Sequence, residues 1–219
     1  MPTRLEKKVQ KLKAHVINLG DKVEKRVEDA IRAVLERDPV LGREVAESDR
    51  EIDLFEIEVE EDCLACLALD QPVAMDLRFV VAVLKINNDL ERIADLAVNI
   101  AEQAEALHRL GASGSVPFDM AEEAQLVRGM MKDSVDALVG IDAPAARRIL
   151  TVDDQIDAIH MGAYDSVREA IEQDPSRTAE LLRYLSISRS LERIADHVTN
   201  IAEDIIYTVS GEIFRHNRP

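Results

Sequence analysis

At 219 residues the chain is long enough for one large domain or two of about 100 residues each. Its 47% hydrophobic content comes from Leu, Ile, Val and Ala rather than from aromatics (3%, no Trp), and with 32% charged residues this is the composition of packed helices. A net charge of −16 argues against a nucleic-acid partner, two Cys three residues apart suit neither a disulfide nor a zinc site, and no apolar run approaches the roughly 20 residues of a membrane span.

Helical period and proline punctuation predict six long helices. The first covers about residues 3–36. It opens with Arg4, Lys7, Lys8, Lys11 and Lys13 against Glu6 alone. That stretch is either a solvated face or a contact for an acidic partner or a membrane surface. A charged start without an apolar segment does not read as a signal peptide, and reduced thiols suit a cytoplasmic protein. Pro39 opens the second helix, about 39–70, which carries Cys63 and Cys66 as expected small core residues. Pro72 precedes the third, about 73–110. The run Gly111-Ala-Ser-Gly-Ser-Val-Pro117 is the one Gly/Ser-rich stretch and reads as a linker. Helices four to six follow at about 118–141, 144–173 and 175–210. No stretch alternates as a strand does.

The chain repeats itself. Asp89–Glu102 (DLERIADLAVNIAE) and Ser190–Glu203 (SLERIADHVTNIAE) agree at ten of fourteen positions, at an offset of 101 residues. Pro39 and Pro72 recur as Pro144 and Pro175 at nearly the same spacing. The expected fold is therefore all-α: two tandem up-down three-helix bundles, residues 1–110 and 118–219, joined by a linker at 111–117.

Glu91, Asp95, Asn99 and Glu102 recur as Glu192, Asp196, Asn200 and Glu203. On a helical wheel the first four fall within about 80°, opposite the apolar face, so they form an outer polar stripe. The preceding helix of each half carries a matching pair, Asp49 and Asp53 in one and Asp153 and Asp157 in the other. Glu56 extends the first pair by one turn, and His160 takes that place in the second. Asp49 and Asp53 lie about 20 residues before the turn near residue 71, and Glu91 and Asp95 about 20 after it. The second half repeats this about the turn near residue 174. Each antiparallel hairpin thus brings four carboxylates to one level, roughly 30 Å from its turn. Such a patch must protonate, pair with cations or bind a metal. Arg50, Arg92 and Arg193 make an ion-pair network one solution. All-oxygen ligands would suit Mg²⁺, Mn²⁺, Ca²⁺ or ferric iron, and His160 would favour iron, zinc or manganese at the second site. His197, 100° round the helix from Asp196, is a weaker candidate.

No nucleophile–base pattern, P-loop or dinucleotide loop is present. A carboxylate-bridged metalloenzyme of ferritin-like type would need two E-x-x-H pairs aimed into one core; Asp157-Ala-Ile-His160 is the one similar spacing.

The run QPVAMDLRF (Gln71–Phe79), then Leu84-Lys85, then DLERIAD (Asp89–Asp95), with SLERIADH (Ser190–His197) in the second half, resembles the PhoU family of phosphate-uptake regulators. The resemblance spans essentially the whole chain. It implies a cytoplasmic, non-enzymatic negative regulator of the phosphate-starvation response, commonly a homodimer. It further implies partners: the ATPase subunit of a phosphate ABC transporter and a membrane sensor histidine kinase, with membrane association through them alone. It also implies metal, multinuclear iron or another divalent ion such as Zn, Mn or Mg. The E/D-x-x-x-D motifs that hold it map onto Glu91/Asp95, Glu192/Asp196, Asp49/Asp53 and Asp153/Asp157, with Glu56, Asn99, His160 and Asn200 as secondary candidates. DPSRTAELLR (Asp174–Arg183) replaces the QPVAMDLRF stretch in the second half, so the two sites are expected to differ.

Overall fold

The computed structural model describes residues 3–112 and 114–211, except for the side chains of Asp49 and Arg50. All regular structure among these residues is helical. In order come α1 (Arg4–Leu35), α2 (Pro39–Glu47), α3 (Asp49–Asp70), α4 (Ala74–Arg109), α5 (Met120–Gly140), α6 (Ala143–Ile149), α7 (Asp153–Gln173) and α8 (Thr178–Ser210), with a 3₁₀ turn at Pro175–Arg177. Local chemistry sets several starts. Thr3 and Glu6 form a reciprocal capping box on α1. The carboxylates of Asp38, Asp119 and Asp142 cap α2, α5 and α6.

The second and fifth expected helices are each broken once, into α2–α3 and α6–α7. At the first break Ser48 Oγ donates to the Val45 carbonyl at 2.9 Å. The Ser48 carbonyl and hydroxyl in turn accept from the guanidinium of buried Arg26. At the second break Thr151 Oγ1 donates to the Arg148 carbonyl at 2.7 Å. Hydroxyl bonds back to a carbonyl three residues earlier compete with the helical ladder. The breaks make Asp49 and Asp153 the first residues of α3 and α7, where the helix dipole favours negative charge.

Helices α1, α2–α3 and α4 pack as one three-helix unit, and α5, α6–α7 and α8 as a second. The units do not keep separate cores. Helix α4 lies along α8 and α1 against α5. One apolar cluster runs from Leu12 and Leu19 of α1 through Ile86 and Ile93 of α4 to Met130 of α5 and Ile194 of α8. A polar ladder crosses the α4–α8 seam. Arg78 Nε donates to the Thr208 carbonyl at 3.2 Å, Lys85 Nζ to Asp204 at 2.9 Å, and the Asp89 carboxylate meets His197 Nδ1 at 2.8 Å. Cys63 and Cys66 are buried free thiols, and burial pushes the Cys63 thiol up to about 12, so it packs as an inert core residue.

The stretch after α4 is held by both halves. Arg37 donates to the carbonyls of Ala112 and Gly114 at 2.9 and 3.0 Å, and Arg177 to that of Ser115 at 2.8 Å. A Cβ at Gly114 would stand 2.1 Å from the Arg177 guanidinium, so a larger residue here would displace that side chain.

Candidate functional site

The outer face of the α3–α4 hairpin carries the first acidic group. Glu91 and Glu56 are half-buried, while Asp53 is exposed; the Asp49 side chain lies outside the described residues. The Glu91 carboxyl is held above its ordinary value, first by burial, then by the negative charge of Asp95, with Glu56 and Asp53 adding to it and Arg92 opposing. Glu56 is raised by burial and by Glu60 and Asp53. Acids from two helices therefore lie in each other's fields, as the hairpin count requires. Arg92 partly answers them, with Nε 3.3 Å from Glu91 and Nη1 3.6 Å from Asp95. Its side chain is 54% exposed, so this pairing contributes little. Asn87 is buried and donates to the Glu56 carbonyl and carboxylate at 3.0 and 3.2 Å.

The α7–α8 hairpin repeats the arrangement. Asp153, the first residue of α7, is 1% exposed; Asp157 and Glu192 are half-buried and Asp196 is exposed. Burial raises the Glu192 carboxyl, and Asp196, Asp157 and Asp153 raise it further, against Arg189. Asp157 and His160 are three residues apart on α7 and so share a face. Burial lowers the pKa of His160 despite the nearby Asp157, which keeps the imidazole neutral and able to act as a ligand. Its ring meets Tyr164 edge-on at 5.2 Å.

The secondary candidates separate. Asn99 is exposed beside the first group. Asn200 instead turns to the α4–α8 seam, donating to Asp89 at 3.4 Å. His197 faces the same carboxylate. Glu56 and His160 stay with their hairpins.

The donor chemistry fits a cation. Half-buried carboxylates with raised pKa values repel one another, and a cation relieves both that repulsion and the cost of burial. Asp53, Glu56, Glu91 and Asp95 would supply oxygen at the first group, and Asp153, Asp157, Glu192 and Asp196, with His160, would serve the second. Among the described residues no three of these side chains converge as closely as the ligands of one ion do.

The PhoU domain matches the chain twice, over residues 16–104 and 120–205. The chain belongs to the PhoU family. A phosphate-specific transport system accessory protein PhoU homolog from Pseudomonas putida is 36% identical over 208 residues, covering 95% of this chain and 81% of its own. A homolog from Clostridium acetobutylicum is 31% identical, covering 94% of each chain. The crystal structure of PhoU from Pseudomonas aeruginosa superposes with a TM-score of 0.92 at 32% identity, covering 95% of this chain and all of that one. The phosphate transport regulatory protein PhoU from Streptococcus pneumoniae gives 0.85 at 26% identity, covering 96% and 99%. The two matched segments of this PhoU-family chain contain every member of the two acidic groups.

One residue near the second group escaped sequence reasoning. Glu123 of α5 is fully buried, and Ser188 Oγ of α8 donates to its Oε1 at 2.8 Å. Burial pushes its carboxyl up to about 7, with Glu192 adding to the shift and the Ser188 bond opposing it. The signal was available. With Asp38 aligned on Asp142, Glu123 falls where the first half has Leu19, an acid in an apolar slot.

Proposed function

We propose that this chain is an accessory protein of a phosphate-specific transport system. It acts without catalysis, as a cytoplasmic negative regulator of phosphate uptake and starvation signalling. It works as an adaptor between the ATPase subunit of a phosphate ABC transporter and a sensor histidine kinase, and functions as a homodimer. Its two carboxylate groups hold metal ions, iron or another divalent ion. The observation that carries the metal reading is the duplicated pair of hairpins, each holding Glu91 or Glu192 half-buried within the field of acids from the neighbouring helix. The regulatory reading rests on the twofold domain match and on the names of the relatives. No helix among the described residues is long and apolar enough to cross a membrane, which accords with membrane contact made through partners.

Metal analysis of purified protein against an Asp95→Ala/Asp196→Ala variant tests the first claim: bound metal is expected in the parent and a large loss in the variant. Equal, negligible metal in both would leave a helical scaffold, the reading favoured by the Arg92 ion pairs. The adaptor claim is tested by co-purification with the transporter ATPase and the kinase, and by restoration of phosphate-repressed uptake in a host lacking its own family member. Failure of both would sink it.

A further inference from the structure

We infer that the outward face of α3 is a docking seam for one α-helix of a protein partner, a helix with its own apolar heptad stripe and with Lys or Arg on the flanks of that stripe. The inference needs neither the metal reading nor the adaptor reading above.

Helix α3 carries two apolar stripes where a packed helix needs one. Ile52, Val59, Cys63 and Cys66 are buried and join the common core. Leu54, Ile57 and Leu64 point the other way, at 56%, 48% and 52% exposure. With Glu61 and Ala68, both exposed, they recur at alternating steps of three and four residues. That is the spacing of the two seam positions of a coiled coil. The five fall within about 80° of one another on the wheel and span about 21 Å of helix. Scattered exposed leucines are ordinary, but a contiguous stripe in seam register is a surface shaped for a second helix. The duplicated half has no such stripe. At the equivalent places α7 carries Ala158, Met161, Asp165, Arg168 and Glu172, and Asp165 and Arg168 close that face with an ion pair at 3.0 Å. The shared frame therefore packs without an apolar stripe here, and core formation does not account for Leu54, Ile57 and Leu64.

Charge selects the occupant. Glu58 and Glu60 flank the stripe on its two sides and Glu61 interrupts it, all three exposed. Among the described residues none of the three is ion-paired: on the α1 side Lys22 goes to Glu51 and Lys11 to Asp62. Asp53 adds to the Glu60 flank. Flanking positions set the partner of a coiled-coil helix through ion pairs across the seam, and one polar residue within the seam fixes the register. A basic helix answers each of these groups. Its cations meet Glu58, Glu60 and Glu61, and its apolar stripe covers Leu54, Ile57 and Leu64. A second copy of this chain would set Glu61 and its flanks against the same acids, and an anionic lipid surface would be repelled by them.

The test titrates the full chain, by calorimetry, with a synthetic helical peptide carrying Leu at its seam positions and Lys on both flanks, and with the same peptide carrying Glu on the flanks. The lysine peptide should bind and the glutamate peptide should not. Leu54→Ser/Leu64→Ser should weaken the lysine peptide about 10-fold or more. The thermal midpoint should hold in that variant, since both side chains lie outside the core. Glu58→Lys/Glu60→Lys should reverse the preference, so that the variant takes the glutamate peptide. Asp165→Lys/Glu172→Lys, which changes the net charge equally on the α7 face, should leave both titrations as in the parent. A parent that binds neither peptide overturns the inference. So does lysine-peptide binding that Leu54→Ser/Leu64→Ser leaves intact, which is attraction to the net charge alone. Sedimentation and flotation with phosphatidylglycerol vesicles complete the test. A dimer that Leu54→Ser/Leu64→Ser dissociates, or vesicle binding that it abolishes, gives the face to a second copy or to lipid and overturns helix docking.

Discussion

The two halves share one frame and differ in what they place on it. Asp38 and Asp142 cap equivalent helices, and the residues before them, Arg37 and Ile141, both take left-handed backbone at φ 55° and 49°. That a β-branched residue accepts this conformation shows how firmly the frame dictates the turn. The hairpin tips then diverge. Gln71 and Ala74 hold φ of 45° and 49° around Pro72, and Val73 caps α4 with no side-chain bond. The second tip is polar, with Asp174 accepting from the Ser176 amide and hydroxyl. Under the acidic faces the divergence is chemical: Leu19, Asn87 and Glu56 in one half, Glu123, Ser188 and His160 in the other. Duplication preserved the helices and the outer acids, while the residues beneath them diverged in charge and hydrogen bonding.

Exchanging the slots between halves is the hardest test of that comparison. Leu19→Glu puts a carboxyl into a core where Asn87, already bonded to Glu56, stands in the place of Ser188, and is expected to cost about 3 kcal/mol or more, read as a lower urea midpoint. The reverse exchange should not. Glu123 binds its proton more tightly folded (about 7) than at its ordinary 4.5, so its favourable contribution is complete below 4.5 and lost as pH rises through 7. Stability should fall by about 3 kcal/mol across that window, and Glu123→Leu should flatten the slope in urea titrations at pH 5 and pH 8. Ala74→Gly relieves a left-handed alanine and should stabilise by about 1 kcal/mol, whereas Thr178→Gly at the second tip, where φ is −50°, should destabilise. The smallest effect belongs to the outer acids. Glu91→Gln and Glu192→Gln each remove a like-charge neighbour four residues from an Asp and should stabilise the metal-free protein by a few tenths of a kcal/mol, measured by thermal melting. A destabilisation there would show that ion pairing, not repulsion, governs these faces.

Much of this was legible beforehand because it is local. The 3.6-residue period and the prolines Pro39, Pro72, Pro144 and Pro175 set the helices. The common rise of 1.5 Å per residue set Glu91 opposite Asp53 and Glu192 opposite Asp157. The helix breaks were missed, since Ser48 and Thr151 are ordinary helix residues until their hydroxyls turn back on a carbonyl. Wheel position puts Asn200 on the acidic face and His197 about 100° away from it, and Asp89 draws both to the seam.

By itself, then, the sequence determined the six helical rods, their duplication and the register of the acids, because each follows from spacing along one chain. Tertiary structure alone decided that the halves share one core, that Asp89 meets His197 across α4 and α8, and that Glu123 reaches Ser188 beneath His160. Those outcomes depend on which faces of distant helices meet, and a helical period repeated on every rod leaves that choice to packing.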